Sequence, residues 1–338
     1  MIKYIIKRLL LLIPVLFGVS LIVFFLMRVC APDPAPIVLG QHATQESMDA
    51  WREANGLNDP VVAQYVDFMK GAFTGDLGTS YYTKAPVTQE IMSRFPATVE
   101  LAIIAIILAS VFGIIVGVIS AVHKNSIFDN GGMLLSLVGV SVPIFWLGIM
   151  LIILFSGTLH WLPSTGRVDP ALRPDTVTGF MIIDSIISGD TEALVDVLRH
   201  LVLPAVTLSL YSMAIIARMT RSSMLETLNQ DYIRTARAKG VADGKVNRRH
   251  ALRNAMLPVS TVIGLQLGSL LGGAVLTKSV YSWPGIGNYT VQCIMKSDFP
   301  VVQGVVLLIA VIFVLMNLIV DVIYAFLDPR IKYSGKEA

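Results

Sequence analysis

Apolar and polar positions follow one another along this chain in long blocks. Six runs carry no Asp, Glu, Lys or Arg: 9–27, 101–122, 133–156, 201–217, 255–276 and 301–320. A helix rises about 1.5 Å per residue, so about 20 apolar residues cross a hydrocarbon core about 30 Å thick. Five runs reach that length, and 201–217 stands at the lower limit. The pattern predicts an all-α integral membrane protein with six transmembrane helices. It divides the chain into an anchor helix at 1–30, a polar segment at 31–97, a five-helix core at 98–328 and a tail at 329–338.

Shorter elements are predicted between the runs. Residues 45–54 and 61–73 have the mixed polarity of surface helices, separated by the turn-rich Asn55-Gly56-Leu57-Asn58-Asp59-Pro60. Residues 71–82 read as a packed loop. Apolar and polar residues at helical spacing in 180–188 and 194–203 suggest interfacial helices, the second leading into the fourth span. In the third run, Ser141-Val142-Pro143 predicts a kink, because Pro143 leaves a carbonyl without its helical donor.

Composition supports the membrane reading: 54% of residues are hydrophobic and only 14% charged, against about a quarter in soluble proteins. The distribution of charge predicts orientation. Segment 31–97 holds eight acids and four bases, and 157–200 holds six and three. Segment 218–257 holds nine bases, among them Arg218, Arg221, Arg234, Arg237 and Lys239, against Glu226, Asp231 and Asp243. Cytoplasmic loops are those enriched in Lys and Arg, so both termini and 218–257 are expected inside and 31–97 outside, as a cap. The first run is longer than a signal-peptide core and lacks a small-x-small cleavage site, so it reads as an uncleaved anchor. Cys30 and Cys293 both map to the outer side, which leaves a bridge and two free thiols open.

The spans carry little ionisable chemistry. Glu100 stands at the outer end of the second, and Asp321 about two turns from the inner end of the sixth. For Asp321 a structural role and an ion site both remain open. Small residues recur every four positions instead: Ala109, Gly113 and Gly117, and Gly264, Gly268 and Gly272. Such spacing lets helix backbones approach closely. With Gln266, Ser269 and Ser260 nearby, the second set could pack helices or line a passage for peptide-like solutes. No metal-ligand spacing and no G-x-x-x-x-G-K-[ST] phosphate loop occurs, Gly244-Lys245-Val246 being the nearest fragment. Uphill transport would therefore draw its energy from another polypeptide.

The basic segment offers a place for that coupling. Residues 231–238 predict a helix with Tyr232, Ile233 and Ala236 on one apolar stripe, stopped by Gly240 as a C′ residue. A second helix is expected over 245–255. The pair would form a compact knob for a soluble partner; a basic loop lying on anionic headgroups is the alternative.

Asp231-Tyr232-Ile233-Arg234-Thr235-Ala236-Arg237-Ala238-Lys239-Gly240, with Leu252-Arg253-Asn254-Ala255-Met256-Leu257-Pro258 after it, resembles the ATPase-docking loop of ABC importer permeases of the peptide/nickel branch. Arg234-Thr235-Ala236 stands where the general motif has Glu-Ala-Ala, and Leu257-Pro258 lies farther from the glycine. Gly75-Asp76-Leu77-Gly78, Pro143-Ile144-Phe145-Trp146, Ser282-Trp283-Pro284-Gly285-Ile286-Gly287 and Asp298-Phe299-Pro300 fit the same family, so the resemblance covers the whole chain. It implies the type I importer fold and a permease subunit for dipeptides or peptides that pairs with a sister permease. ATP and Mg would be bound by two ATPase subunits docking on Tyr232, Ile233, Arg234, Thr235, Ala236, Arg237 and Gly240, with no cofactor in this chain. A periplasmic peptide-binding protein would deliver cargo to the cap. Gly264, Gln266, Gly268, Gly272 and Pro143 would line the pathway or pack its helices. The same machine with other cargo (longer peptides, nickel, glutathione or haem) and a stand-alone channel or structural membrane protein, its basic loop contacting lipid, are the rival readings.

Overall fold

A computed structural model describes residues 2–40, 42–273 and 279–327. The tail at 329–338, the end of the fifth run at Leu276 and the side chain of Asp321 lie outside the described residues. The described chain is helical, with one isolated antiparallel bridge between Thr79 and Pro86.

Among the described residues helical passages follow all six apolar runs. Four are long and apolar enough to cross a membrane, a bent pair makes a fifth, and the apolar part of the first, Ile13–Val29, is shorter. The first is α1 (Ile2–Val29). Three short helices come next, α2 (Pro34–Leu39), α3 (Gln45–Ala54) and α4 (Val61–Thr74). Asp33 caps α2 through Ala35 N and also takes the guanidinium of Arg52 from α3. Phe24 of α1 packs edge-on against Tyr65 and stacks on Phe68 of α4. The cap is thus folded down onto the end of the first span.

The second passage, α5, runs Val87–Val122, and the fourth, α9, runs Thr191–Leu228. Both exceed their apolar runs. The last residues of the segment assigned to the cap belong to α5. The helix expected at 194–203 is continuous with the fourth span, which at 38 residues is not short. Pro96 and Pro204 lie inside these helices without ending them. Each removes one helical hydrogen bond, and neighbouring helices make up the loss in packing. At about 1.5 Å per residue both helices exceed 50 Å, so they project beyond the hydrocarbon.

The third passage is broken rather than kinked. Helix α6 (Ile127–Ser141) ends where Val142 and Pro143 are extended, and α7 (Ile144–Leu151) restarts at 101° to it, continuing as a wide π-helical turn over Ile152–Thr158. Two extended residues in succession turn a proline kink into a change of direction.

Helix α8 (Met181–Ser188) lies in the loop before α9. Its Asp184 is fully buried and accepts hydrogen bonds from the Thr178 amide and hydroxyl and the Gly179 amide. Burial alone would raise this carboxyl, but the donors outweigh it and hold it below the usual carboxylate range. A depressed native value contributes stability above the unfolded value, lost as pH falls through the native one. Asp184→Asn should therefore lower Tm at neutral pH, and the gap to wild type should close below about pH 4; a gap independent of pH would contradict this.

After α9 come α10 (Asp231–Ala238), the single turn α11 (Asp243–Lys245), a π-helical stretch over Val246–Ala251 and the fifth passage, α12 (Leu252–Gly273). The helix expected at 245–255 is thus no separate element, for it runs directly into the span. Last come α13 (Ile286–Met295) and the sixth passage, α14 (Phe299–Leu327). Helix α5 makes its most extensive contact with α9, and α12 lies between α9 and α14. Cys30 is exposed and Cys293 buried, and both thiols are free.

Candidate functional site

The α9–α12 connection builds a folded knob at one end of the bundle. Ile233 is fully buried, in a cluster with Met224 at the end of α9, Ala121 at the end of α5, Val246, Ala251 and Ala255. Ala236 and Val241 pack against it. Three spans therefore end on the same apolar cluster as α10.

The turn after α10 explains why this residue order makes a knob. Gly240 is left-handed (φ +75°); its amide donates to Arg237 O and the Val241 amide to Ala236 O, at 2.9 and 3.2 Å. These two bonds close the helix end, and Ala236 and Val241, both packed on the Ile233 cluster, cover it with apolar side chains. Arg237 Nε also reaches Asp243 across the turn, at 3.1 Å.

Tyr232 does not share the apolar stripe. It is 43% exposed, on the flank of α10, and its hydroxyl accepts from Asn254 Nδ2 of α12 at 2.8 Å. The stripe is Ile233 and Ala236; a phenol keeps its hydroxyl where a partner can reach it. Arg234, Thr235, Arg237 and Gly240 are exposed, so with Tyr232 they form the outer surface of the knob. Arg221, counted in the basic segment, turns inward. It makes two hydrogen bonds of 2.5 and 2.8 Å with the buried Asp129, tying the end of α9 to the start of α6. The cationic surface is therefore carried by the exposed Arg218 of α9 and by the basic residues after that helix.

The pathway candidates fall at helix contacts. A Cβ on Gly268 would stand 3.1 Å from the Phe313 ring, and one on Gly272 2.8 Å from Ile309, both on α14. Gly264 is half-buried one turn away. Gln266 turns the other way, its Oε1 accepting from Ser212 of α9 at 3.0 Å. Pro143 starts α7 at the break, beside an open apolar groove of about 510 Å³ that Trp146 and Phe145 line. Among the described residues no three His, Cys, Asp or Glu side chains are placed to hold a metal.

One polar site lacks any local sequence signal. Glu100 of α5 and Arg167 of the second long loop are 5% and 8% exposed and pair at 2.5 Å. Glu100 also accepts from the Ile182 amide, and Arg167 donates to Gly179 O. The Arg167 guanidinium stands 5.7 Å from the Trp283 ring, whose Nε1 donates to Ala97 O. The pair lies at the end of the bundle opposite the knob.

Comparison with known proteins agrees with this arrangement. The family described as binding-protein-dependent transport system inner membrane component matches residues 113–333, more than half the chain, and its N-terminal companion matches 1–102. The chain is 48% identical over 333 residues to a dipeptide transport system permease protein of Alkalihalophilus pseudofirmus, covering 98% of this chain and 100% of that one. It is 46% identical over 335 residues to a di/tripeptide transport system permease protein of Pseudomonas aeruginosa, at 99% and 100% coverage. The dipeptide transport system permease protein of Escherichia coli strain K12 matches at 46% over 340 residues, with 99% and 100% covered. An all-helical, multi-pass bundle with these similarities over its full length belongs to the inner-membrane components of binding-protein-dependent transport systems.

Proposed function

We propose that this chain is the transmembrane permease subunit of an ATP-driven dipeptide importer. The names of the relatives support the cargo, since each covers nearly the whole chain and is a dipeptide or di/tripeptide permease. Both termini and the knob face the cytoplasm, and the cap faces the periplasm, in accord with the charge distribution. A sister permease completes the pathway, two ATPase subunits hold ATP and Mg, and a periplasmic binding protein delivers peptide to the cap.

The observation that carries the coupling role is the packing of α10. Its apolar side rests through Ile233 on the ends of α5, α9 and α12, while Tyr232, Arg234, Thr235, Arg237 and Gly240 face outward. A displacement of the knob by a docked ATPase is therefore passed to three spans at once. Gln266 and the Gly264–Gly268–Gly272 face sit where α12 meets α9 and α14, and sliding there would open or close the passage.

Gly240→Val tests this. Nothing lies within 4 Å of where its Cβ would stand, so the variant creates no clash. It forces a branched residue into the left-handed region, at about 1–2 kcal/mol, which is about five- to thirtyfold in the population of the native turn. Membrane insertion should stay at the wild-type level, while ATP-dependent dipeptide uptake should fall about tenfold. Gly240→Asn, which tolerates this backbone, should keep most activity. Wild-type uptake by Gly240→Val would remove the docking role.

A further inference from the structure

The first span, the cap and the last span enclose a polar cavity that none of these roles uses. Its volume is about 210 Å³, and Arg28 of α1, Gln64 and Asp67 of α4, Asp76 just beyond it and Gln303 of α14 line it. Three side-chain atoms at this cavity are buried with no hydrogen-bond partner among the described residues: Arg28 Nε, Gln64 Oε1 and Gln303 Nε2. Gln303 itself is 5% exposed. A buried polar atom needs a partner, and these three, on residues that line one cavity, fit a ligand that accepts twice and donates once.

The charges sharpen that specification. The Arg28 guanidinium lies 5.3 Å from the Phe24 ring centroid and 5.0 Å from that of Phe299, so two aromatic rings flank it. A fixed guanidinium beside an amide donor selects an oxyanion. Gln64 Oε1, with the carboxylates of Asp76 and of Asp67, which also pairs with Lys70 at 3.1 Å, selects a cationic donor on the other side.

The setting identifies the source. Arg28 is in the last turn of a membrane helix, and its neighbours Leu26 and Val29 are exposed. Helix α4, packed on α1 through Tyr65 and Phe68, also exposes Val62, Val66 and Phe73, the last at 84%. A short helix with apolar side chains open to its surroundings, lying against the end of a span, sits at headgroup depth. We propose that the cavity binds the headgroup of an amine-bearing phospholipid. The phosphate lies on Arg28 and Gln303, the amine faces Gln64 and the two carboxylates, and the acyl chains follow the exposed flank of α1.

The test uses the delipidated full-length chain in mild detergent, with thermal unfolding and native mass spectrometry as readouts. Phosphatidylethanolamine should raise Tm saturably. It should be retained about tenfold more tightly than phosphatidylglycerol, which lacks the amine. Diacylglycerol and inorganic phosphate should do neither. Gln303→Leu removes a buried donor without a protein partner, so in the lipid-free chain it should leave Tm unchanged or higher. It should still weaken phosphatidylethanolamine retention about tenfold, and Arg28→Gln should weaken it further. Equal retention by wild type and Gln303→Leu overturns the site. Equal stabilisation by diacylglycerol or phosphatidylglycerol overturns headgroup or amine recognition, and stabilisation by inorganic phosphate alone makes it a free-anion site.

Discussion

Gly117→Leu should all but eliminate the folded protein from the membrane, lowering its yield at least tenfold. Where α5 crosses α9, a Cβ on Gly117 would stand 2.6 Å from the carbonyl oxygen of Ala217 and 2.5 Å from Thr220 Cβ. One turn earlier, a Cβ on Gly113 would stand 2.9 Å from Met213 O. Backbone atoms on both sides mean that no rotamer change relieves the contact, and the helices themselves must separate. In lipid no hydrophobic drive holds them together, so close packing is what such a pair has. Overpacking costs about 1–3 kcal/mol when side chains can adjust, and more when they cannot. Gly131, with nothing within 4 Å of its Cβ position, is the internal control: Gly131→Ala should accumulate normally. Extraction in mild detergent followed by size-exclusion chromatography reads both variants. A monodisperse Gly117→Leu protein at wild-type yield would mean that the α5–α9 crossing is not as tight as its geometry states.

That crossing is legible in the sequence, and the reason is local. A missing Cβ at every fourth position states where another backbone can come close, whatever the partner. The end of α10 was legible for the same kind of reason: a glycine in the left-handed region after Ala236, Arg237 and Ala238 is a local backbone requirement. Other features depend on residues far apart. Pro143 marks where the third passage is interrupted, but the 101° angle follows from Val142 also being extended and from what α7 packs on, including α9. The lengths of α5 and α9 were hidden because polar turns and prolines interrupt their hydropathy, while the helices continue through Pro96 and Pro204. Tyr232 read as apolar because an aromatic ring at helical spacing looks like core, and only Asn254, 22 residues on, shows where the hydroxyl goes. Arg221 read as surface charge for want of Asp129, which lies 92 residues away.

Arg167→Met should destabilise the protein by about 3–5 kcal/mol, the cost of leaving one member of a buried ion pair without the other. Glu100 would then keep its hydrogen bond from the Ile182 amide but face no cation inside a nearly closed site. Glu100→Gln strands the guanidinium instead. It would retain the bond to Gly179 O, while its Nε has no partner among the described residues even in the wild type. The double variant removes both charges. It should recover most of the loss, because matched apolar or neutral replacements of a buried pair are often close to neutral. The consequence reaches beyond the pair. Arg167 stands over Trp283, Trp283 donates to Ala97 O, and the Ile286 amide donates to Thr98 Oγ1, so α5, the long loop and the segment before α13 meet within a few residues. Loosening them should therefore expose this end of the bundle first, while the knob, held by the separate cluster around Ile233, stays folded. Limited proteolysis should cut the Arg167→Met protein in the loop between the third and fourth passages before it cuts the α9–α12 connection. A double-mutant cycle on Tm decides the energetic half: additive losses, with no recovery in the double variant, would mean that Glu100 and Arg167 act independently and that solvent reaches both.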